Sequence, residues 1–404
     1  MSRLLRALAL ASLMLGAAAR LAAQPAASNF GPYAADASRP QAIGWTFTPT
    51  FVFATSYDDN VLIRGEGDNV TGDHINVVNP RGGLTYIGKR TRLDASYDGA
   101  FLMYREFSTL NSYDQHASLF LRQMLTKHVT LFADNTLAMV PTTEAVEFVG
   151  VPFVRTGSTI EDARAGIEVA FTKTSTLVAS YNFQWVQFDK SADLFTQLYG
   201  GHSHGATVVW RRQLSTRTTF FTDYELQRAV VLAGIDAFNV QNASVGLEQK
   251  LSPLVQIYGA IGIAHTSVNS FGGPQTGPAW RAGLTRQFRK AGLDVEYSRS
   301  YVPSYGFGGT IQNEEIIGRV RVPLTRRLSA QSSVSWRSNQ PLVAIEPNLH
   351  TRWIEATLSY GFRPWLRLEG FYANSHQDID RPGGLVDRNR IGVQIITSNP
   401  VRVR

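Results

Sequence analysis

Thr176 to Phe188 reads TLVASYNFQWVQF. Leu177, Ala179, Tyr181, Phe183 and Trp185 take one set of alternate positions, and Ser180, Asn182 and Gln184 take the other. Successive side chains on a β-strand point to opposite faces, so this segment has one apolar, aromatic face and one polar face. Such a strand lies between an apolar medium and water. The pattern recurs: Leu93, Ala95, Tyr97, Gly99, Phe101 and Met103 oppose Arg92, Asp94, Ser96 and Asp98. Leu366, Leu368 and Tyr372 oppose Arg367 and Glu369.

From Trp45 onward one unit repeats. An alternating stretch of about 10–13 residues leads into a short, often basic turn, then a second alternating stretch, then a longer loop rich in Gly, Pro, Asn and Asp. The short turns fall near residues 88–90, 126–128, 172–175, 213–217, 250–253, 289–290, 325–327 and 363–364. The strands after them begin on Leu93, Leu131, Leu177, Phe220, Val255, Leu293, Leu328 and Leu366. The longer connections fall near 57–73, 105–112, 140–158, 189–201, 229–238, 267–277, 302–311, 339–348 and 376–386. Short turns alternating with long connections predict about 18 strands, short turns on one rim and long loops on the other. Most later prolines fit the connections, but Pro49 and Pro80 fall inside the first two strands, where proline belongs at an edge or bulge.

Composition agrees. Hydrophobic residues make up 44% of the 404, charged residues 18% and aromatics 11%, with a mean hydropathy of −0.12. A helical membrane protein would be more apolar and a soluble domain more charged. No apolar run after the N-terminal segment approaches the roughly 18 residues of a spanning helix. The chain has no cysteine, which excludes disulfides, zinc ribbons and a lipid-modified cysteine anchor. The predicted class is all-β: a transmembrane antiparallel β-barrel of about 18 strands with short periplasmic turns and long extracellular loops.

The N-terminus reads as a secretory leader over 1–23, with Arg3 and Arg6 before an apolar run and small residues around Ala22 and Ala23. Residues 24–44, rich in Ala, Ser and Pro, read as a periplasmic tail too short to fold as a plug, and 45–404 as the barrel. The net charge is +7, and removing the three leader arginines leaves about +4, too mild and too dispersed to indicate nucleic acid. The expected location is the outer membrane of a Gram-negative cell, in contact with its lipid and lipopolysaccharide.

The polar faces supply the candidate functional residues. Arg92, Asp94, Asp98, Asp134, Asp223, Glu225, Asp294, Glu296, Arg319, Arg321, Arg367 and Glu369 are expected to line the lumen. Charge there costs little, whereas Arg or Lys facing lipid at mid-membrane costs roughly 2–4 kcal/mol. Tyr86, Phe188, Trp210, Phe288, Trp336, Trp353, Tyr360 and Trp365 near strand ends are expected to form an interfacial girdle. His202-Ser203-His204 offers two histidines on one face without a third ligand or an acidic partner nearby, so no metal or catalytic site is assigned. Asp58-Asp59-Asn60 lacks the spacing of a calcium loop. Gly82-Gly83 and Gly308-Gly309 lack a following P-loop lysine, and no cofactor motif is present.

Phe47-Thr48-Pro49 followed by Ser56-Tyr57-Asp58-Asp59-Asn60-Val61 resembles the opening of β-barrel porins of the porin 2 type, whose first strand ends in a Tyr-Asp-Asp-Asn-like turn. The resemblance implies a channel associated with exopolysaccharide passage and with periplasmic polysaccharide-export components. A general diffusion porin for small hydrophilic solutes is the alternative. The sequence is also compatible with two other classes: a lipid hydrolase using His204 on the outer face, and an adhesion barrel blocked by inward loops such as 140–158. The C-terminus departs from the barrel habit of ending on an aromatic residue, and Thr397 to Arg404 is expected to trail off past Pro400.

Overall fold

The computed structural model describes residues 43–403, apart from 66–68, 143–154, 191–197, 233–235, 268–272, 289, 307, 343–346 and 381–383. The expected leader and nearly all of the expected tail lie outside the described residues. Alternation carries the chain into β1 (Gly44–Asp58), β2 (Asp73–Ile87), β3 (Thr91–Tyr104), β4 (Ser112–Met124), β5 (Val129–Pro141) and β6 (Gly157–Ala170). Next come β7 (Ser175–Phe188), β8 (Gly201–Gln213), β9 (Thr218–Val231), β10 (Asp236–Ser252), β11 (Val255–Thr266) and β12 (Gln275–Gln287). The chain continues through β13 (Gly292–Pro303), β14 (Thr310–Pro323), β15 (Leu328–Pro341), β16 (Leu349–Arg363), β17 (Leu366–Ile379), β18 (Leu385–Ser398) and a short β19 (Val401–Val403).

Strands consecutive in sequence pair antiparallel from β1 to β18, and β18 returns to β1 with Thr50 opposite Ser398 and Asp58 opposite Arg390. The sheet is therefore an 18-stranded closed barrel with one extra short strand. Closure removes the two exposed edges that an open sheet would carry.

Directly opposed residues share a face of the sheet, so the register sorts every strand into an outer and an inner row. The outer row is apolar and open: Phe51 is 46% exposed, Ile261 67% and Ile391 60%. A continuous band of this kind is what lipid requires and what a soluble surface avoids. Tyr86, Trp210, Trp336 and Tyr360 belong to the outer row, and Tyr86 packs on Trp45 with ring centroids 4.7 Å apart. Phe288 and Trp365 are exposed at the short-turn rim. Two of the expected girdle residues are not there. Phe188 is 7% exposed and packs inside the barrel mouth, and Trp353 sits opposite Ser335 and Ser375 on the inner row. Their parity decides it: Phe188 shares the face of Gln184, and Trp353 that of Glu355.

The two awkward prolines occupy interruptions. The β2–β3 ladder pairs Val78 with Phe101 and resumes at Arg81 with Asp98, skipping Pro80. Pro49 faces the gap between β18 and β19, where the Asn399 amide donates to the Pro49 carbonyl at 3.3 Å. The end of the chain does not trail off as expected. After the break at Pro400, Val401 and Val403 pair with Phe47 and Trp45, which restores the outer apolar row at the short-turn rim.

Candidate functional site: the inner wall and the long-loop mouth

The inner row is a wall of ion pairs and amides. On β3, the Arg92 Nε lies 2.6 Å from Asp94, and Asp94 also accepts from the Thr85 hydroxyl at 3.0 Å. Asp98 is opposite Arg81, and Asp134 opposite Arg164. Arg319 faces Asp294 at 3.8 Å, with Glu296 on the same inner row of β13. Arg321 is opposite Gly292 and Gln331 at the short-turn end. Arg367 pairs with Glu369 at 2.7 Å, and Glu369 also accepts from Ser359 and Gln394. Asp223 bonds Arg281, and Glu225 lies on the same row opposite Thr207 and Asn242. All twelve of the sequence-derived candidates thus lie on the inner row.

The register adds partners that composition alone did not single out. Arg122 bonds Glu168 at 2.7 Å and Arg337 bonds Glu315 at 2.5 Å. Arg281 on β12 reaches across β11 and β10 to Asp223 on β9, and its Nη2 donates to Ser244 at 2.9 Å. Ala260, Gly246 and Gly262 lie between them on the inner row and leave the guanidinium room. Asp162, opposite Gln184 and bonded to it at 2.9 Å, places a further carboxylate on the wall beside Arg164. Asp162 and Arg164 alternate with Ala163 and Ala165, so the same parity rule could have found them in the sequence.

The mouth at the long-loop rim is different: its inner lining is apolar. The β12–β13 ladder ends at Trp280 opposite Arg299. Beyond that rung the β13–β14 hairpin leaves the wall and turns into the barrel. The Asn242 amide donates to the Tyr301 carbonyl at 3.4 Å, and the Tyr199 amide to the Gly306 carbonyl at 3.3 Å. The Thr266 and Thr310 hydroxyls lie 3.0 Å apart, and the Leu342 amide donates to the Thr310 carbonyl at 3.0 Å. Tyr301 and Tyr305 pack with Val186, Phe188, Leu198, Val231, Phe238 and Val240 in one buried cluster. The described tip residues are almost wholly buried, with Ser304 at 0% and Tyr305 at 3% exposure. Gly308 and Gly309 supply φ of 94° and 68° at the tip, a backbone that glycine adopts without a Cβ penalty. The sequence reads 302–311 as an outward connection because its Gly and Pro content looks like any loop. Nothing local signals that Tyr301 and Tyr305 will bury.

A second cluster covers the inner face of β1–β3, where Val61 and Ile75 are fully buried beside Leu62, Phe107 and Leu110. Arg155 ties the end of the β5–β6 connection to it: its Nη2 donates to the Tyr104 hydroxyl at 2.7 Å, and the guanidinium lies 4.8 Å from the Tyr104 ring centroid. The rest of that connection, 143–154, lies outside the described residues.

The two local motifs resolve as wall chemistry. Asp58 bonds the Arg388 Nε and Nη2 at 2.8 and 2.6 Å, and Asp59 accepts from the Asn389 amide and side chain at 2.7 and 2.8 Å. Asn60 Nδ2 donates to the Asp387 carbonyl at 2.9 Å. The Asp-Asp-Asn turn therefore clasps β18 and fastens the seam where the barrel closes. His202 and His204 face outward, while Ser203 between them is 2% exposed on the inner row and accepts from Gln227 at 2.7 Å. Serine and histidines on opposite faces of one strand cannot act on one substrate. Among the described residues no group of three or more His, Asp or Glu side chains could hold a metal ion.

No family model matches the chain, and no curated protein matches it. Solved structures do. The Acinetobacter baumannii OccAB4 structure is 12% identical over 89% of this chain and 99% of its own, with a TM-score of 0.47. The outer membrane protein opdK from Pseudomonas aeruginosa is 12% identical over 87% and 99%, with a TM-score of 0.46. Pseudomonas aeruginosa OccK2 (OpdF) is 12% identical over 89% and 99%, with a TM-score of 0.48. Identity this low says nothing of solute. By its own closed sheet, apolar outer belt and polar inner row, the chain is an 18-stranded outer-membrane β-barrel.

Proposed function

We propose that the barrel is a passive channel for small hydrophilic solutes across the Gram-negative outer membrane. Barrels of 16–18 strands are wide enough to leave an aqueous lumen, and here the inner row offers paired charges and amides along its height. The observation that carries the reading is the β13–β14 hairpin folded into the mouth. It narrows the entrance on one side while Arg155 and the first connection cover the other. A mouth occupied in this way favours small solutes over a polysaccharide chain, the cargo that the sequence resemblance implies. The twelve inner charged residues, with Arg164, Arg281, Glu315 and Arg337, form the conduit in this reading.

Liposome swelling tests it. Vesicles carrying the barrel should admit small sugars and amino acids and discriminate against oligosaccharides. Vesicles that admit neither would overturn the proposal. Vesicles that admit long oligosaccharides as readily as monosaccharides would favour polysaccharide passage instead.

A further inference from the structure

Between its two rims the outer row of β7–β12 is largely apolar, and polar side chains gather toward the long-loop end. On β9 it runs Phe220, Thr222, Tyr224, Leu226, then Arg228. Arg228 is exposed, and among the described residues it makes no hydrogen bond or ion pair. The register puts His204 of β8 directly opposite it on one side and Asn239 of β10 on the other. One residue pair further out, His202 stacks edge-on with His204, ring centroids 5.4 Å apart. One pair further in lie Gln241 and, opposite it, His265. The Tyr181 hydroxyl contacts His204 Nδ1. A hydroxyl donating there leaves the imidazole proton on Nε2, as a second donor. The outward positions of β7–β12 carry no acidic residue; the nearest outward carboxylate on the described strands, Glu161 on β6, is tied to Asn135 at 2.9 Å.

The level is informative. Eight residues separate Arg228 from Phe220, which at about 3.4 Å per residue and a tilt of about 40° is a height of about 21 Å. The apolar band of such barrels is about 25 Å tall. Arg228 therefore stands at the top of the band on the long-loop side, where the charged headgroups of the outer leaflet lie. An unpaired guanidinium flanked by imidazole and amide donors, with no carboxylate on the outward face of its own set of strands, matches a phosphate.

We propose that this row, Arg228 with His202, His204 and Asn239, binds a phosphate of lipopolysaccharide in the outer leaflet. The apolar positions beneath, Leu226, Val245 and Ile263, lie where the acyl chains would run. The site is on the outside of the wall, so it is independent of what passes through the lumen.

The test titrates the purified full-length barrel in detergent with deep-rough lipopolysaccharide, the same lipid stripped of its phosphates, phosphatidylglycerol, and inorganic phosphate. Binding is read by native mass spectrometry, and heat-modifiable gel migration verifies folding. For the unaltered protein, removing the lipid phosphates should weaken binding about tenfold or more, the scale of one lost charge-assisted contact. Arg228→Gln should weaken intact lipid by a similar factor and become indifferent to dephosphorylation. Arg228→Lys should recover part of the loss. Arg286→Gln, on the outer row at the opposite rim, should change nothing. Equal binding of intact and dephosphorylated lipid by the unaltered protein would overturn the proposal whatever the variants do. So would equal binding of phosphatidylglycerol, which means a general phospholipid surface, or of inorganic phosphate alone, which means a free-anion site.

Discussion

Removing the Asp58 carboxylate should loosen the barrel at its seam. Asp58 is fully buried and Arg388 is 5% exposed, and both nitrogens of the fork, Nε and Nη2, reach one carboxylate oxygen. The other oxygen accepts from the Asn60 amide at 3.1 Å, so the same side chain shapes the turn and joins β1 to β18. Taking one partner from a buried, hydrogen-bonded pair leaves a charge in a dry site and costs about 3–5 kcal/mol. Asp58→Ala should destabilise by that amount, and Arg388→Met by a comparable one. Replacing both with apolar residues of similar volume should recover most of the loss, since a buried pair is often worth little net of its desolvation. The assay is urea unfolding in lipid vesicles followed by tryptophan fluorescence, analysed as a double-mutant cycle. A cost for Asp58→Ala of about 1 kcal/mol or less, the range of exposed pairs, would refute the clasp. So would a double variant as unstable as the two single losses added together.

Three further outcomes follow from the inner wall and mouth. Gly308→Val puts a Cβ within 2.6 Å of Leu232 at a φ of 94°. At about 1–3 kcal/mol of strain it should release the hairpin tip, giving noisier single-channel currents and faster cleavage between 302 and 311 by added protease. Gly277→Val, whose Cβ would fall on the Tyr301 hydroxyl, should do the same from the wall side, and quiet currents in both variants would count against the inward hairpin. Arg281→Gln takes the guanidinium partner from Asp223 and one of two nearby guanidinium groups from Glu225, the other being Arg164. At about 1 kcal/mol for a charge at contact distance in water, the cation-to-anion permeability ratio from reversal potentials should rise about fivefold, and a fall would contradict the assignment of these residues to the conduit.

Much of the architecture is legible because membrane strands must obey period two for their whole length. Leu177 to Trp185 names its face without help, and the same parity assigns Asp94, Asp223 or Glu369 to the inner row. Parity also corrects Phe188 and Trp353, whose aromatic character suggested lipid while their position pointed inward. What stays hidden is non-local. The bond from Asn242 to Tyr301 joins residues of different hairpins across the mouth, and no window of sequence contains both. The clasp of Asp58 with Arg388 spans 330 residues, so the turn motif is visible but its partner is not. Arg281 and Asp223 meet across two intervening strands, which only the register reveals. The outward row of Arg228, His204 and Asn239 is likewise three separate polar exceptions until pairing aligns them.

Planar-bilayer conductance of the intact barrel beside a version with residues 302–311 replaced by a short glycine-containing turn tests the central claim most directly. The intact barrel should form stable channels, and the shortened one should conduct more and pass larger neutral sugars. An intact barrel that does not conduct, or a shortened one with unchanged conductance and size limit, would contradict a small-solute channel narrowed by the β13–β14 hairpin.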